Sequence, residues 1–207
     1  MKPEFEARAL TRRQALAASA STTAALVLAA CGAEEPEGTV GPGEERLERT
    51  PACDEDAATP EQTAGPFFLP GSPQRASLLE AGVEGTTLVL AGRVLGPDCR
   101  PLPGALLDFW QADDGGVYDT RGDRLRGHQF ASGDGSYRLV TIVPGVYPGR
   151  TRHIHVRAQP RGGAVLTTQL YFPGEAANDG DGIYDPALVI AAREEDDRVR
   201  GLFDFVL

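Results

Sequence analysis

Residues 143–156 read V-P-G-V-Y-P-G-R-T-R-H-I-H-V, a turn-rich segment followed by the start of an alternating run. The whole chain contains three histidines, and two of them, His153 and His155, stand here one residue apart. In an extended strand the side chains of residues i and i+2 share one face, about 6–7 Å apart. Two imidazoles placed in this way can bind one metal ion, but the same pattern also fits two histidines on a solvated strand face.

Outward from this segment, the chain alternates between short apolar runs and turns rich in Gly, Pro and Asp. From Gln62 onward no run keeps the 3.6-residue period of an amphipathic helix. Short strands at this spacing predict an all-β fold, a β-sandwich of mixed and antiparallel short strands with long loops. The predicted strands are Thr86–Leu95, Ala105–Gln111, Ser136–Ile142, His153–Ala158 and Leu166–Phe172. For Pro186–Arg200 we expect one short surface helix or a turn.

The N-terminal residues have the features of an export signal. Thr11-Arg12-Arg13-Gln14 is a twin-arginine pattern, and Ala17–Ala30 is an apolar run of about 14 residues, too short to span a membrane. Leu28-Ala29-Ala30-Cys31-Gly32 matches the lipobox of bacterial lipoproteins. We expect residues 1–30 to be a signal peptide and a lipidated Cys31 to anchor the protein to a membrane surface on the extracytoplasmic side of the cell envelope. A plain signal peptide with an incidental cysteine is the alternative.

Residues 31–61 are rich in Glu, Gly and Pro and predict a disordered acidic tether, followed by one folded domain over 62–207. The net charge of −10 argues against nucleic acid as a partner, because phosphate binding needs clustered basic residues. An exported protein folds where disulfides form. With Cys31 lipidated, Cys53 and Cys99 are the remaining pair, and we favour a bridge between them.

Tyrosines supply a second type of candidate ligand. Tyr137 and Tyr171 lie in alternating runs, where we expect them to pack in or on the sheet. Tyr118 and Tyr147 instead fall in Gly-rich turns, where side chains often converge on a site. Phenolate is a hard anionic donor, so two phenolates with two imidazoles favour a ferric ion over ferrous iron, zinc or copper. The chain has no H-x-D, H-x-E, H-E-x-x-H or G-x-S-x-G pattern.

An acidic loop near the C-terminus, residues 178–185, reads N-D-G-D-G-I-Y-D. It has the look of a calcium loop but lacks the full EF-hand pattern and its terminal Glu. A solvated turn is the favoured interpretation, and a cation site the alternative.

Several segments together resemble the intradiol ring-cleavage dioxygenases, the family that includes the catechol and protocatechuate enzymes. The similarity runs in the family's order over about residues 63–172, and the ordered set is more specific than any one piece. The matching segments are Thr63-Ala64-Gly65-Pro66-Phe67-Phe68, Cys99–Ala105, Leu107–Asp113, Gly116-Val117-Tyr118, Arg126-Gly127, Thr141–Gly145, Tyr147-Pro148, Arg150, His153-Ile154-His155 and Gln169-Leu170-Tyr171-Phe172.

The resemblance implies a non-haem Fe(III) centre and a ring-opening reaction with dioxygen. Its ligands would be Tyr118, Tyr147, His153 and His155. Tyr147 would leave the metal when a catechol binds, and its phenolate would accept a substrate proton. Both oxygen atoms of O2 would enter the product, a muconate-type diacid formed by cleavage between the hydroxyl-bearing carbons.

The resemblance also assigns roles to Arg150 and Gln169. Arg150 would stabilise negative charge on the substrate ring, with a salt bridge to the acidic surface as its alternative role. Gln169 would line the same pocket, with a sheet-edge hydrogen bond as its alternative. His153 follows Tyr147 by six positions, fewer than in well-studied members, which resembles a short, often exported branch and favours an open pocket for bulky catechols. The alternative function is a non-catalytic exported lipoprotein that binds catechols or iron.

Overall fold

The computed structural model describes Cys53 and residues 58–207, all within one compact unit that spans residues 45–207. The expected signal peptide, Cys31 and most of the expected tether lie outside the described residues. In the part of the chain that is described, no helix is long and apolar enough to cross a membrane.

The described residues form nine strands and two single-turn 3-10 helices. The prediction of an all-β fold is confirmed, and all five predicted strands are present with ends shifted by at most one residue. The 3-10 helices are Asn178–Gly180 and Pro186–Leu188. The strands are β1 (Thr87–Leu95), β2 (Leu106–Trp110), β3 (Arg126–Phe130), β4 (Ser136–Ile142), β5 (His153–Gln159), β6 (Leu166–Tyr171), β7 (Ala191–Glu195), β8 (Arg198–Leu202) and β9 (Phe205–Val206).

Two sheets make the sandwich. The first has the order β4-β1-β8-β7 with β9 beside the end of β1, and the second has the order β3-β2-β5-β6. Strand β1 pairs in parallel with β8 and β9, and the other pairs are antiparallel, so the sheet is mixed as predicted. Strands β1, β2, β4 and β5 bury alternate residues in the core between the sheets. They include Leu88, Leu90, Leu107, Phe109, Ile154 and Val156.

The outer face of the second sheet carries the polar and aromatic residues of the same strands. Because successive side chains alternate, His153 and His155 point away from the core that Ile154 and Val156 enter. The register sets Trp110 of β2 and Gln169 of β6 on either side of His155. Aromatic and polar residues from three strands therefore meet on this outer face.

Residues 59–77, which we call the covering segment, run across this outer face. The segment starts at β6, where Gln62 N donates to Thr167 O at 2.7 Å, and reaches β3, where Gln74 bridges His128. A second bridge joins Ser77 to Val140 of β4. At its start Thr59 is buried, and its Oγ1 accepts from Val206 N at 2.8 Å. Thr59 and Pro60, which the sequence assigns to the tether, thus pack against the domain.

The C-terminal stretch differs from the expectation for Pro186–Arg200. It contains one 3-10 turn, but also the whole of β7 and part of β8, which form an antiparallel hairpin. β7 is an edge strand without a fully buried residue, so it has no apolar alternation in the sequence.

The structure contains the favoured disulfide between Cys53 and Cys99, with 5.7 Å between the Cα atoms.

Candidate metal centre

The structure brings the four predicted ligands together at one end of the outer face. The Oη of Tyr118 lies 3.0 Å from Nε2 of His153. The ring centroids of His153 and His155 are 4.8 Å apart, and Tyr118 lies 5.9 Å from both Tyr147 and His155. Two phenols and two imidazoles therefore converge on one small volume.

His155 is held by ring contacts. It stacks on Trp110 with a centroid distance of 4.8 Å and an interplanar angle of 4°. Gly65 also lies near the ring, and an added Cβ there would be in van der Waals contact with His155 Cε1 at 3.4 Å. Among the described residues Nδ1 of His155 is buried without a hydrogen-bond partner. Stacking on Trp110 therefore sets its orientation.

His153 is held by a hydrogen bond. Its Nδ1 lies 2.6 Å from the carbonyl oxygen of Thr151, and since a carbonyl only accepts, Nδ1 carries the proton. That leaves the lone pair on Nε2, the nitrogen that faces Tyr118. Burial lowers the pKa of His153 to about 4, so the ring is neutral near pH 7. Burial, and then the nearby charge of His153, likewise lowers the pKa of His155. Both rings are in the protonation state that a metal ligand needs.

Tyr118 is fixed at the end of a tight turn. Oδ1 of Asp113 accepts from Gly115 N at 3.0 Å and from Val117 N at 2.9 Å, which closes the turn before it. Its ring stacks on Phe67 at 4.4 Å. Burial raises the pKa of Tyr118 against the opposing charges of Arg150 and Arg126. A bound cation would reverse this, because coordination to a metal stabilises the phenolate.

Tyr147 lies in a half-buried position on the neighbouring loop. Its ring meets Phe67 edge-on at 5.4 Å. Gly145 N donates to Asp113 O at 2.7 Å, which ties the two tyrosine loops together. The contact is tight at Gly116 (φ +80°), where a Cβ would lie 2.2 Å from Val146 O.

Arg150 and Gln169 lie beside the four ring residues. Nη2 of Arg150 donates to Oε1 of Gln169 at 2.8 Å, and Nε2 of Gln169 donates to Thr63 O at 3.0 Å. Nε of Arg150 also donates to Oδ2 of Asp181 at 2.8 Å. Arg150 thus forms a salt bridge, but to the buried Asp181 and not to the acidic surface. Its role in stabilising charge on the substrate ring stays a prediction.

The favoured interpretation of residues 178–185 as a solvated turn is wrong for two members. Asn178 and Asp181 are both 8% exposed and point inward. The local reason is hydrogen bonding, because Asp181 accepts from Arg150 and from the backbone N–H of Thr151. Asp179 and Asp185 remain on the outside, exposed and half-buried respectively.

Sequence reasoning missed four residues that support the site. Trp110 and Phe67 lie inside motifs that it singled out, but nothing in their spacing shows that they stack on His155 and Tyr118. Thr151 contributes only a backbone carbonyl, which no residue type reveals. Asp181 could have been found by looking for an acidic partner of Arg150, because a half-buried guanidinium needs a counter-charge.

The donor set limits the metals that fit. Among the residues that the structure describes, no group of three or more His, Cys, Asp or Glu side chains could hold a metal ion. A metal at this site would therefore need the two tyrosines. Two phenolate oxygens with two imidazole nitrogens suit a hard, highly charged cation better than the softer sites typical of zinc or cuprous copper.

Known proteins similar to this chain share one type of reaction in their names. The family model described as Dioxygenase (Dioxygenase_C) matches residues 63–207. The chain is 30% identical over 171 residues to 6-chlorohydroxyquinol 1,2-dioxygenase of Cupriavidus pinatubonensis, covering 69% of this chain and 62% of that protein. It is 29% identical to catechol 1,2-dioxygenase of Acinetobacter baylyi, covering 68% and 55%. The chain thus spans between about half and two thirds of these relatives.

Solved structures agree in fold. The dioxygenase domain of a dioxygenase carbohydrate-binding protein fusion from Streptomyces sp. SirexAA-E has a TM-score of 0.71 and 57% identity, covering 72% of this chain and 97% of that one. Hydroxyquinol 1,2-dioxygenase from Pseudomonas putida DLL-E4 has a TM-score of 0.64 and 27% identity, covering 72% and 66%. By the family match and these relatives, the chain belongs to the intradiol ring-cleavage dioxygenase family.

Proposed function

We propose that this protein is a non-haem Fe(III) intradiol dioxygenase. It opens a catechol-type aromatic diol between the two hydroxyl-bearing carbons, with incorporation of O2, to give a muconate-type diacid. The observation that carries the proposal is the convergence of Tyr118, Tyr147, His153 and His155, with Oη of Tyr118 3.0 Å from Nε2 of His153. Ferric iron held by these four side chains would act as the Lewis acid that orients the diol and activates it toward O2.

Tyr147 takes the proton from the substrate in this scheme. Its side chain is half-buried, while Tyr118 is 7% exposed and stacked on Phe67. A half-buried phenolate swings toward solvent at smaller cost than a buried one, because it already keeps part of its contact with water. Its oxygen then serves as the general base for the second catechol hydroxyl.

Arg150 supplies fixed positive charge next to the ligands. Its guanidinium is held by Gln169 and Asp181 at 2.8 Å each, so little reorganisation is needed when negative charge develops on the ring. Gln169 in turn is anchored to the covering segment through Thr63 O. The pair orients the ring and stabilises its anion without itself forming a covalent bond.

The covering segment keeps water from the back of the site. Phe68 packs edge-on against Trp110 at 4.9 Å, and Trp110 in turn stacks on His155. Tyr147 is the half-buried member of the cluster, so we propose that the substrate enters from its side. Relatives are named for hydroxyquinol, catechol and chlorocatechol, so we propose a substituted catechol as the substrate class.

The location of the enzyme is a further part of the proposal. The twin-arginine pattern and the lipobox at Cys31 support export followed by lipid anchoring, and a Cys53–Cys99 disulfide suits an oxidising compartment. Cell fractionation of the wild type and of Cys31→Ala tests it. The wild type is expected with the membranes and the variant in the soluble extracytoplasmic fraction. Equal partition of the two would overturn the lipid anchor.

Oxygen uptake by the purified protein tests the reaction. After expression with iron, the protein should hold about one iron per chain, show visible absorbance from tyrosinate-to-iron charge transfer, and consume O2 when given catechols. Iron and colour without oxygen uptake on any catechol would favour the binding protein instead. A colourless, iron-free protein would contradict both metal-dependent functions.

A further inference from the structure

One carboxylate of the acidic loop is built into the site. Asp181 is 8% exposed, and its Oδ2 accepts from Nε of Arg150 at 2.8 Å and from Thr151 N at 2.9 Å. Its Oδ1 accepts from Ile183 N at 3.2 Å, which closes the loop on itself. Each carboxylate oxygen therefore has a partner, and a single side chain joins residues 181–183 to residues 150–151.

Asn178 makes a second connection to the same place. Its Oδ1 accepts from Oγ1 of Thr151 at 2.7 Å, and its Nδ2 donates to Phe172 O at 3.0 Å. Thr151 is fully buried. The side-chain and backbone donors of Thr151 are thus both used by the acidic loop, and Phe172 ties that loop to the end of β6.

The residues held in this way lie between two proposed ligands. Arg150 and Thr151 follow Tyr147 and precede His153 in the chain. Thr151 O accepts from Nδ1 of His153 at 2.6 Å, and Arg150 donates to Gln169. Any shift of residues 150–151 would therefore move both the guanidinium and the hydrogen bond that orients His153.

The charge of Asp181 matches this arrangement. Burial favours the neutral acid, but the N–H groups of Thr151 and Ile183 and the guanidinium of Arg150 outweigh it and lower the pKa of Asp181. A charge-assisted hydrogen bond of this kind is stronger and more directional than a neutral one. The bridge is also shielded, since the side chain of Asp181 is 2% exposed and that of Arg150 21% exposed.

We propose that Asp181 is a positioning residue for the ring-opening reaction, which holds the guanidinium of Arg150 against Gln169 at the edge of the ligand cluster. The inference rests on the proposed function. It assigns a role to residues 178–185, for which the sequence pattern suggests only a solvated turn or a cation site. Asp181 acts through Arg150 and does not itself contact the substrate.

A double-mutant cycle tests this role through kinetics. The variants are Asp181→Asn, Arg150→Ala and the double variant, each loaded with iron. Asp181→Asn keeps the shape and one acceptor oxygen but removes the charge, so the guanidinium is no longer fixed. We expect kcat/KM to fall about tenfold or more, since displacement of a positioning group by about 1 Å costs up to 10²-fold. In the Arg150→Ala background the same change should cost less than about twofold, because the partner through which it acts is absent.

Matched controls separate positioning from folding. Asp179→Asn removes the same charge from an exposed site in the same loop and should leave kcat/KM unchanged. Iron content and visible absorbance of Asp181→Asn should equal those of the wild type. A crystal structure of that variant should show Arg150 moved from Oε1 of Gln169.

The contrary results are distinct. If the fall in kcat/KM of the double variant equals the product of the falls in the two single variants, the two residues act independently. That result would overturn the positioning role while leaving the proposed reaction intact. Loss of iron in Asp181→Asn, or an unmoved Arg150 in its crystal structure, would also overturn it. A wild-type protein that consumes no O2 on any catechol would remove the proposed reaction and this inference together.

Discussion

Two turns each supply one tyrosine to the candidate metal centre, and they are built differently. The turn before Tyr118 is closed by hydrogen bonds to Asp113, and Tyr118 is 7% exposed and stacked on Phe67. The loop around Tyr147 is open by comparison. Val146 is 47% exposed, residues 148–149 are exposed, and Tyr147 itself is half-buried.

Under the proposed function, this difference would let one residue type take two roles at one metal. A buried phenol with a closed turn behind it is pre-organised to stay where it is. A half-buried phenol on an open loop would be free to exchange a metal contact for solvent. Ionisation of Tyr118 would need a bound cation, because burial raises its pKa against the opposing charges of Arg150 and Arg126.

Tyr118→Phe should give the largest effect. It removes the buried oxygen, while the ring that stacks on Phe67 stays in place, so folding is preserved. Loss of an outer-shell partner typically costs a metal site 10–100-fold in affinity or activity. Loss of a ligand should therefore abolish iron retention and oxygen uptake, as measured by metal analysis and an oxygen electrode. Full iron content in this variant would break the comparison.

Tyr147→Phe should keep iron and lose turnover. Without the phenolate that accepts the substrate proton, we expect kcat to fall about 100-fold, the size typical of a general base. Visible absorbance should remain, with its maximum shifted because one tyrosinate is left. Tyr184→Phe is the control, since Tyr184 packs on Tyr171 and lies outside the set of proposed ligands. Iron loss equal to that of Tyr118→Phe would show that the two turns are equivalent.

Gly116→Ala tests the contact between the two turns. The residue has φ +80°, and a Cβ would lie 2.2 Å from Val146 O, so both strain and a backbone clash are expected. We expect a loss of about 2–4 kcal/mol in the free energy of unfolding, measured by denaturant titration. Gly149→Ala is the control, because Gly149 has φ +83° with nothing within 4 Å of the added atom. It should cost only about 1 kcal/mol. Equal losses would mean that the turns do not brace each other.

Acid stability should give the smallest effect. The pKa of Asp181 in the folded protein lies below its ordinary value of 3.8. Its stabilisation is therefore fully present above about pH 4 and is lost as the pH falls through the folded-state pKa. We expect the denaturation midpoint of Asp181→Asn to fall less steeply than that of the wild type as the pH is lowered below about 4. If the midpoints of the two proteins fall equally with pH, the charge of Asp181 does not stabilise residues 150–151.

Strands that bury alternate residues were predictable, and strands at an edge were not. β1 and β5 alternate between core and outer face, and their runs are visible in the sequence. β7 is the polar segment Ala191–Glu195, paired on one side only, and it looks like a surface turn. β3 begins with Arg126-Gly127, which matches a family motif, but its sequence R-G-H-Q-F has no apolar alternation that would predict a strand.

The site divides along a similar line. The proposed ligands were named from residue type, order and family resemblance, all of which are local in the sequence. Their supports come from elsewhere in the chain, such as Asp181, which lies 31 positions from Arg150. Asp181 stands in a loop whose composition is typical of solvent exposure. Long-range pairing of this kind leaves no signal in a single sequence.

The covering segment has a consequence for association between molecules. Its bridges from Gln74 to His128 and from Ser77 to Val140 occupy the outer sides of β3 and β4, which are edge strands of the two sheets. Unpaired edge strands are templates for pairing with other chains and lead to aggregation. The covering segment thus both packs over the ligand cluster and protects two sheet edges. Cleavage within residues 59–77 would therefore expose the ligand cluster and two edge strands prone to aggregation at the same time.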